Sequence, residues 1–127
     1  MKKNYIAYEG EVFTIEWYLD DRGKSQARDY YEELPKHQKA KLEFLFRMLG
    51  NTGKIRNIEK FRDEDDQIYA FKPKPDRFLC FFYKGAKVIV TNAFEKKQDK
   101  ISPREKEKAL RFKDDYIKRV TGGKYYD

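Results

Sequence analysis

The segment from Phe78 to Tyr83 constrains the fold more than any other: six successive apolar or aromatic residues, bounded by Pro73-Lys74-Pro75-Asp76 before it and Lys84-Gly85 after it. Side chains alternate sides along a strand, so a short run without a polar position between turn formers reads as a strand covered on both faces. Its neighbours, Gln67 to Lys72 and Lys87 to Phe94, are predicted strands joined to it by those turns, and they can keep one polar side. The three form a meander that needs covering layers above and below.

The rest of the chain supplies them. Val12 to Tyr18 alternates, with Phe13, Ile15 and Trp17 on one face and Thr14, Glu16 and Tyr18 on the other, which predicts a half-buried strand. Ala27, Tyr30, Tyr31 and Leu34 recur at helical spacing, with Ser25 as the cap and Pro35 as the end. Leu42, Leu45, Phe46 and Leu49 predict a second helix from about residue 36 that stops near Gly50-Asn51-Thr52-Gly53. Residues 54 to 66 show no clear period, and Asp63-Glu64-Asp65-Asp66 reads as an exposed loop. Ser102-Pro103-Arg104-Glu105 is a capping box with proline at the first helical position, and Ala109, Phe112, Tyr116 and Val120 give the last helix its buried stripe. The order is β-α-α-β-β-β-α, an α+β fold with a curved sheet. The expectation is one domain over residues 1–127, its core about 10–119, with 120–127 a loose tail.

Charged residues make up 40% of the chain, but 10 Tyr and 10 Phe supply buriable surface that disordered segments lack. The single cysteine, Cys80, lies in the apolar run, which excludes an intrachain disulfide and suits a reducing compartment. Lys2 and Lys3 start like a signal peptide, yet Asn4 to Glu9 is no apolar core, so a soluble cytoplasmic protein is expected, without membrane contact. The net charge of +7 is unevenly spread: residues 1–66 carry −1 and residues 67–127 carry +8. That asymmetry favours a polyanionic partner, because phosphates release counterions on meeting Lys and Arg. The lone His37 at the head of a helix reads as a surface or capping residue. The acidic run reads as a hydrated turn, and no Cys/His cluster suggests zinc, so neither metal nor cofactor is expected.

In order and spacing the second half resembles the RelE/ParE superfamily of bacterial toxins, in its HigB-like, phage-associated branch, over roughly residues 10–119. Ile68-Tyr69-Ala70-Phe71-Lys72 is similar to the family's L-Y-E-[LF]-R strand, Arg77 to Phe82 to its Y-R-[IV] strand, and Asn92-Ala93-Phe94-Glu95-Lys96-Lys97 to G-F-x-K-K. Here Ala70 stands for the usual Glu, Lys72 for Arg, Ala93 for Gly and Asp76 for the aromatic before the strand arginine. The resemblance implies the toxin of a type II toxin–antitoxin system. Such a toxin is an endonuclease that cuts mRNA in the ribosomal 30S A site and is held inactive by a cognate antitoxin, here a small helix-turn-helix protein. The alternative on the same fold is a non-catalytic module, either a ParE-like gyrase inhibitor or a protein that only binds RNA or its antitoxin.

RNA carries its own nucleophile, the 2′-OH, so an RNase without metal must align it, stabilise the charge building on phosphorus and protonate the leaving 5′-oxygen. The expected catalytic residues are Lys72, Arg77, Lys96 and Lys97. Arg77 suits the phosphate clamp, since a guanidinium binds two phosphate oxygens in a fixed fork. Lys96 or Lys97 serves as acid or counter-charge, and Lys72 helps lower the barrier to 2′-OH attack. Tyr69 is the candidate for stacking a base. Lys74, Lys100, Arg104, Lys108 and Arg111 are the further candidates for RNA contact. Without the resemblance, each reads as an ordinary solvated charge or, for Tyr69, a sheet residue.

Overall fold

The computed structural model describes residues 4–97 and 101–126. Among them the elements run β1 (Ile6–Glu9), β2 (Thr14–Trp17), α1 (Gln26–Glu32), α2 (Lys36–Thr52), β3 (Phe61–Asp63), β4 (Tyr69–Phe71), β5 (Asp76–Tyr83), β6 (Lys87–Glu95) and α3 (Pro103–Thr121). The strands form one open sheet in the order β1-β2-β6-β5-β4-β3, with β2 parallel to β6 and every other pair antiparallel. An extra residue in β6, Thr91, makes a bulge opposite Leu79 and Cys80 and bends β6 against β5.

The β5 run is covered on both faces, as its lack of polar positions requires. Phe78 and Cys80 pack under α1 and α2 with Ile15, Trp17, Leu42, Leu45, Phe46 and Leu49. Leu79 and Phe81 pack under α3 with Ile89, Ala109 and Tyr116. Trp17 is core, edge-on to Phe46 at 5.7 Å.

The helix boundaries follow local chemistry. Ser25 accepts a hydrogen bond from Arg28 N at 3.0 Å to start α1. Gly53, at φ 81°, ends α2 by donating to Leu49 O. Ser102 accepts from Arg104 N to start α3. Glu105 does not close the expected capping box; its carboxylate accepts from Asn92 Nδ2 at 3.0 Å and ties α3 to β6.

Several expectations need correction. Two short edge strands, β1 and β3, join the predicted order. Each has little sequence signal because an edge strand buries little: β3 holds one apolar residue, Phe61. Phe13 and Phe112, expected in the core, are half-buried. Residues 122–126 are no loose tail. Gly123, at φ 70°, turns the chain back so that Tyr125 packs edge-on against Tyr116 at 4.6 Å and the Tyr126 hydroxyl reaches Glu16. Among the described residues no helix is long and apolar enough to cross a membrane.

Candidate active site

The β4–β5 hairpin builds the centre of the site. Its register pairs Ala70 with Leu79 and Phe71 with Phe78, so the next position across sets Lys72 opposite Arg77. Alternation puts both on the α3 side of the sheet with Ala70 and Leu79. On β6, Arg77 faces Phe94, and Lys96 lies two residues further on the same side. The result is a small cleft lined by Arg62, Glu64, Ala70, Lys72, Arg77, Leu79, Phe94, Lys96 and Ile101.

The cleft holds buried cations. Lys72 is 5% exposed and Arg77 6% exposed. Lys72 Nζ donates to Ile58 O at 2.9 Å, and Arg77 Nη1 donates to Asp76 O at 2.9 Å. Among the described residues, none of Arg62, Lys72, Arg77 and Lys96 has a carboxylate within 4.0 Å. Burial, and then the guanidinium of Arg77, hold Lys72 below the usual lysine range. Burial likewise lowers Arg77, opposed first by Glu64. Concentrated positive charge without close anionic partners is an arrangement that an incoming anion completes.

The turn between Lys72 and Arg77 is held from the other face of the sheet. Gln38, on the buried stripe of α2, donates from Nε2 to Asp76 Oδ2 at 2.7 Å and to Pro73 O at 3.1 Å. Tyr30 of α1 donates to Asp76 Oδ1 at 2.5 Å. Asp76 therefore anchors the strand start that presents Arg77. Gln26 makes a reciprocal pair with the Ala93 backbone at 2.8 and 2.7 Å, pinning α1 to β6.

Of the expected catalytic residues, Lys72, Arg77 and Lys96 converge. Lys97 does not: it is exposed and lines a shallow groove with Ser102, Pro103 and Glu105, to which Lys96 also contributes. Tyr69 lies on the opposite face of the sheet, stacked on Phe61 at 5.7 Å and edge-on to Phe82 at 5.0 Å. That packing withdraws it from any base stacked in the cleft. Lys74 is exposed and pairs with Glu59. Arg104 and Arg111 are exposed on α3, and Lys108 lies 3.8 Å from Glu105. Lys100 lies outside the described residues.

Arg62 and Glu64 were missing from the expected site because residues 54 to 66 lack periodicity. Gln38 was missing too, although a lone polar residue four positions before Leu42 on an apolar stripe was a readable signal. His37 is exposed on α2. Among the described residues no group of three or more His, Cys, Asp or Glu side chains is placed to hold a metal ion.

A family model described as phage derived protein Gp49-like (DUF891) matches residues 29–114, from α1 through most of α3, which is more than half of the chain. No curated protein matches the chain. The Gp49-like family is associated with the toxins of toxin–antitoxin systems and related to the RelE-type ribonucleases. A sheet covered by two helices on one side and one on the other, with a basic cleft at the hairpin, is thus set in a family context: the chain belongs to the Gp49-like phage-derived proteins, within the RelE/HigB-type toxin superfamily.

Proposed function

We propose that this chain is the toxin of a type II toxin–antitoxin system, of the HigB-like branch, and that its cleft cuts mRNA on the ribosome by metal-independent attack of the 2′-OH on the scissile phosphate. The observation that carries this reading is the convergence of Lys72, Arg77 and Lys96 in one cleft with no carboxylate within 4.0 Å of any of them among the described residues. A buried cation disfavours its own charge, so a phosphate that restores its partner binds strongly, and a pentacoordinate phosphorane with more negative charge binds more strongly still. Arg77 clamps two non-bridging oxygens. Lys72, beside it, neutralises the charge gained on attack. Lys96, half-buried at the rim, protonates the departing 5′-oxygen; Lys97 contributes general positive potential from the groove beside it. An antitoxin partner, a helix-turn-helix protein, follows from the same reading, as does action in the cytoplasm, where ribosomes work.

The test is cleavage of a defined mRNA by the purified chain, free and on purified ribosomes, with 5′-end mapping and analysis of the 3′ termini. Products ending in 2′,3′-cyclic phosphate are expected, and any cleavage of free RNA is expected to persist in excess EDTA, because the nucleophile belongs to the substrate. An intact mRNA in every arm, together with inhibition of gyrase supercoiling, would replace this reading with that of a gyrase inhibitor.

A further inference from the structure

We infer that Glu64 is the general base of this cleft, the group that takes the proton from the attacking 2′-OH. The assignment rests on the endonuclease reading above and deepens it.

The chemistry of the lining leaves few alternatives. A 2′-OH attacks phosphorus well only as its proton departs, so the site needs an acceptor beside its cations. Arginine stays protonated in proteins, which excludes Arg62 and Arg77. Lys72 is held below the usual lysine range, but its Nζ is committed to Ile58 O at 2.9 Å and serves the reading above as counter-charge to the attacked phosphate. Lys96, at the rim, is required in its protonated form if it serves the leaving oxygen. Among the residues that line the cleft, Glu64 is the one carboxylate.

The β3–β4 turn explains why Glu64, alone among four successive acids, is turned inward. Asp63 Oδ1 accepts from Asp65 N at 2.8 Å, within the turn itself. Asp65, Asp66 and Gln67 all adopt positive φ, between 57° and 73°. That backbone swings Asp66 to Lys106 of α3 at 2.8 Å and Gln67 to Lys113 at 3.0 Å. Glu64 N donates to Ile68 O at 2.8 Å, closing the turn over the buried Ile68. Asp63 and Asp65 are thus used to shape the loop and Asp66 to moor it on α3. Glu64 remains half-buried in the cleft, and among the described residues no Lys or Arg nitrogen lies within 4.0 Å of its carboxylate.

The step balances as follows. The 2′-oxygen forms its bond to phosphorus while its proton passes to Glu64; the bond from phosphorus to the 5′-oxygen breaks, and that oxygen takes a proton from the Lys96 ammonium. The products are a 2′,3′-cyclic phosphate and a 5′-hydroxyl. Exchange with water then returns Glu64 and Lys96 to their starting forms.

Glu64→Gln, an isosteric change at a half-exposed loop position, tests the assignment. The readouts are single-turnover cleavage of the mRNA on which the wild-type cut has been mapped, and binding of an uncleavable analogue carrying 2′-deoxyribose at that position. Cleavage should fall by about 10²- to 10⁴-fold, while the analogue binds as tightly as to wild type or tighter, since a negative charge has left a cationic site. Glu64→Asp should keep intermediate activity. A bridging 5′-thio substrate, whose leaving group needs no acid, should rescue Lys96→Ala but not Glu64→Gln. A Glu64→Gln variant that cuts at the wild-type rate, loses analogue binding in step with cleavage, or is rescued by the 5′-thio substrate would overturn the base assignment. No cleavage by the wild-type chain would instead overturn the endonuclease reading, and the assignment with it.

Discussion

The hydroxyl of Tyr126 donates to Glu16 Oε1 at 2.7 Å, across 110 positions of sequence, and so supplies a buried carboxylate in β2 with a partner from beyond the last helix. Lys87 Nζ stands 3.8 Å from the other oxygen of Glu16. Burial nonetheless raises the Glu16 pKa above the usual range, with Tyr126 and Lys87 opposing it. A raised carboxyl pKa means that the folded state binds the proton more readily than the unfolded one. Stability is therefore lost as pH rises from the unfolded to the folded value. Tyr126→Phe removes a bond to a charged group and should cost about 1.5–3 kcal/mol at neutral pH. The deficit should shrink below about pH 4, where Glu16 is neutral in both states. Urea unfolding at the two pH values checks this; an equal deficit at both would show that the loss comes from the bond between the Tyr126 and Tyr116 hydroxyls rather than from Glu16.

Gly10 and Gly50 touch backbone to backbone where the β1–β2 turn crosses the end of α2. A Cβ on Gly10 would stand 2.2 Å from Gly50 O, the same oxygen that accepts from Val12 N and Phe13 N. Neither chain can yield without breaking those bonds. Gly10→Ala should therefore destabilise by about 1–3 kcal/mol or more. At Gly23, with φ 75° but open space around it, alanine should cost only about 1 kcal/mol of backbone strain. Equal melting temperatures for the two variants would refute the close-approach argument.

Arg77→Ala should reduce cleavage roughly a hundredfold, about 3 kcal/mol of transition-state stabilisation, with folding and antitoxin binding nearly intact. Arg77→Lys keeps the charge but loses the fork and should fall between. Lys96→Ala should be comparably damaging, and its combination with Arg77→Ala should add little, because groups on one phosphate act as a unit. Lys97→Ala should cost far less than Lys96→Ala, given its exposed place outside the cleft. Changing Lys2 and Lys3 together is the charge-matched control for the double variant of Arg77 and Lys96, and a loss there equal to that of the double variant would make total charge responsible.

Lys72 should trade stability for activity. Its folded pKa is lowered, so the cost of holding its charge is fully present at neutral pH and is relieved as pH rises from the folded to the unfolded value. Lys72→Met should abolish most cleavage while stabilising the fold by about 0.5–2 kcal/mol at neutral pH. That gain should diminish toward about pH 10, where the wild-type lysine sheds its proton in both states. Denaturant titrations across this range check the sign, and a methionine variant less stable than wild type at neutral pH would refute it.

Cleft residues differ in how legible they are. Lys72, Arg77 and Lys96 were readable because each sits at or near the end of a strand whose run and turns are local, and because the motif resemblance singled them out. Arg62 and Glu64 were not, since β3 is three residues long and gains its conformation from pairing with β4. The surroundings of Tyr69 were not legible for a related reason: its strand was evident, but parity decides its face, and a neighbour on a second strand, Phe61, decides what it touches.

What the sequence determined by itself is whatever depends on neighbours within about one turn or one strand. The uncut apolar run of β5 demanded cover on both faces, the spacing of Leu42, Leu45, Phe46 and Leu49 made α2 amphipathic, and Ser25, Pro35, Gly53 and Ser102 set helix ends. Only the tertiary structure decided that β2 lies parallel to β6, that Gln38 and Tyr30 hold Asp76, and that Tyr126 returns to Glu16. Those contacts join residues far apart in sequence. Their free energy comes from removing paired polar groups and apolar surface from water together, so no local window contains the term that selects them.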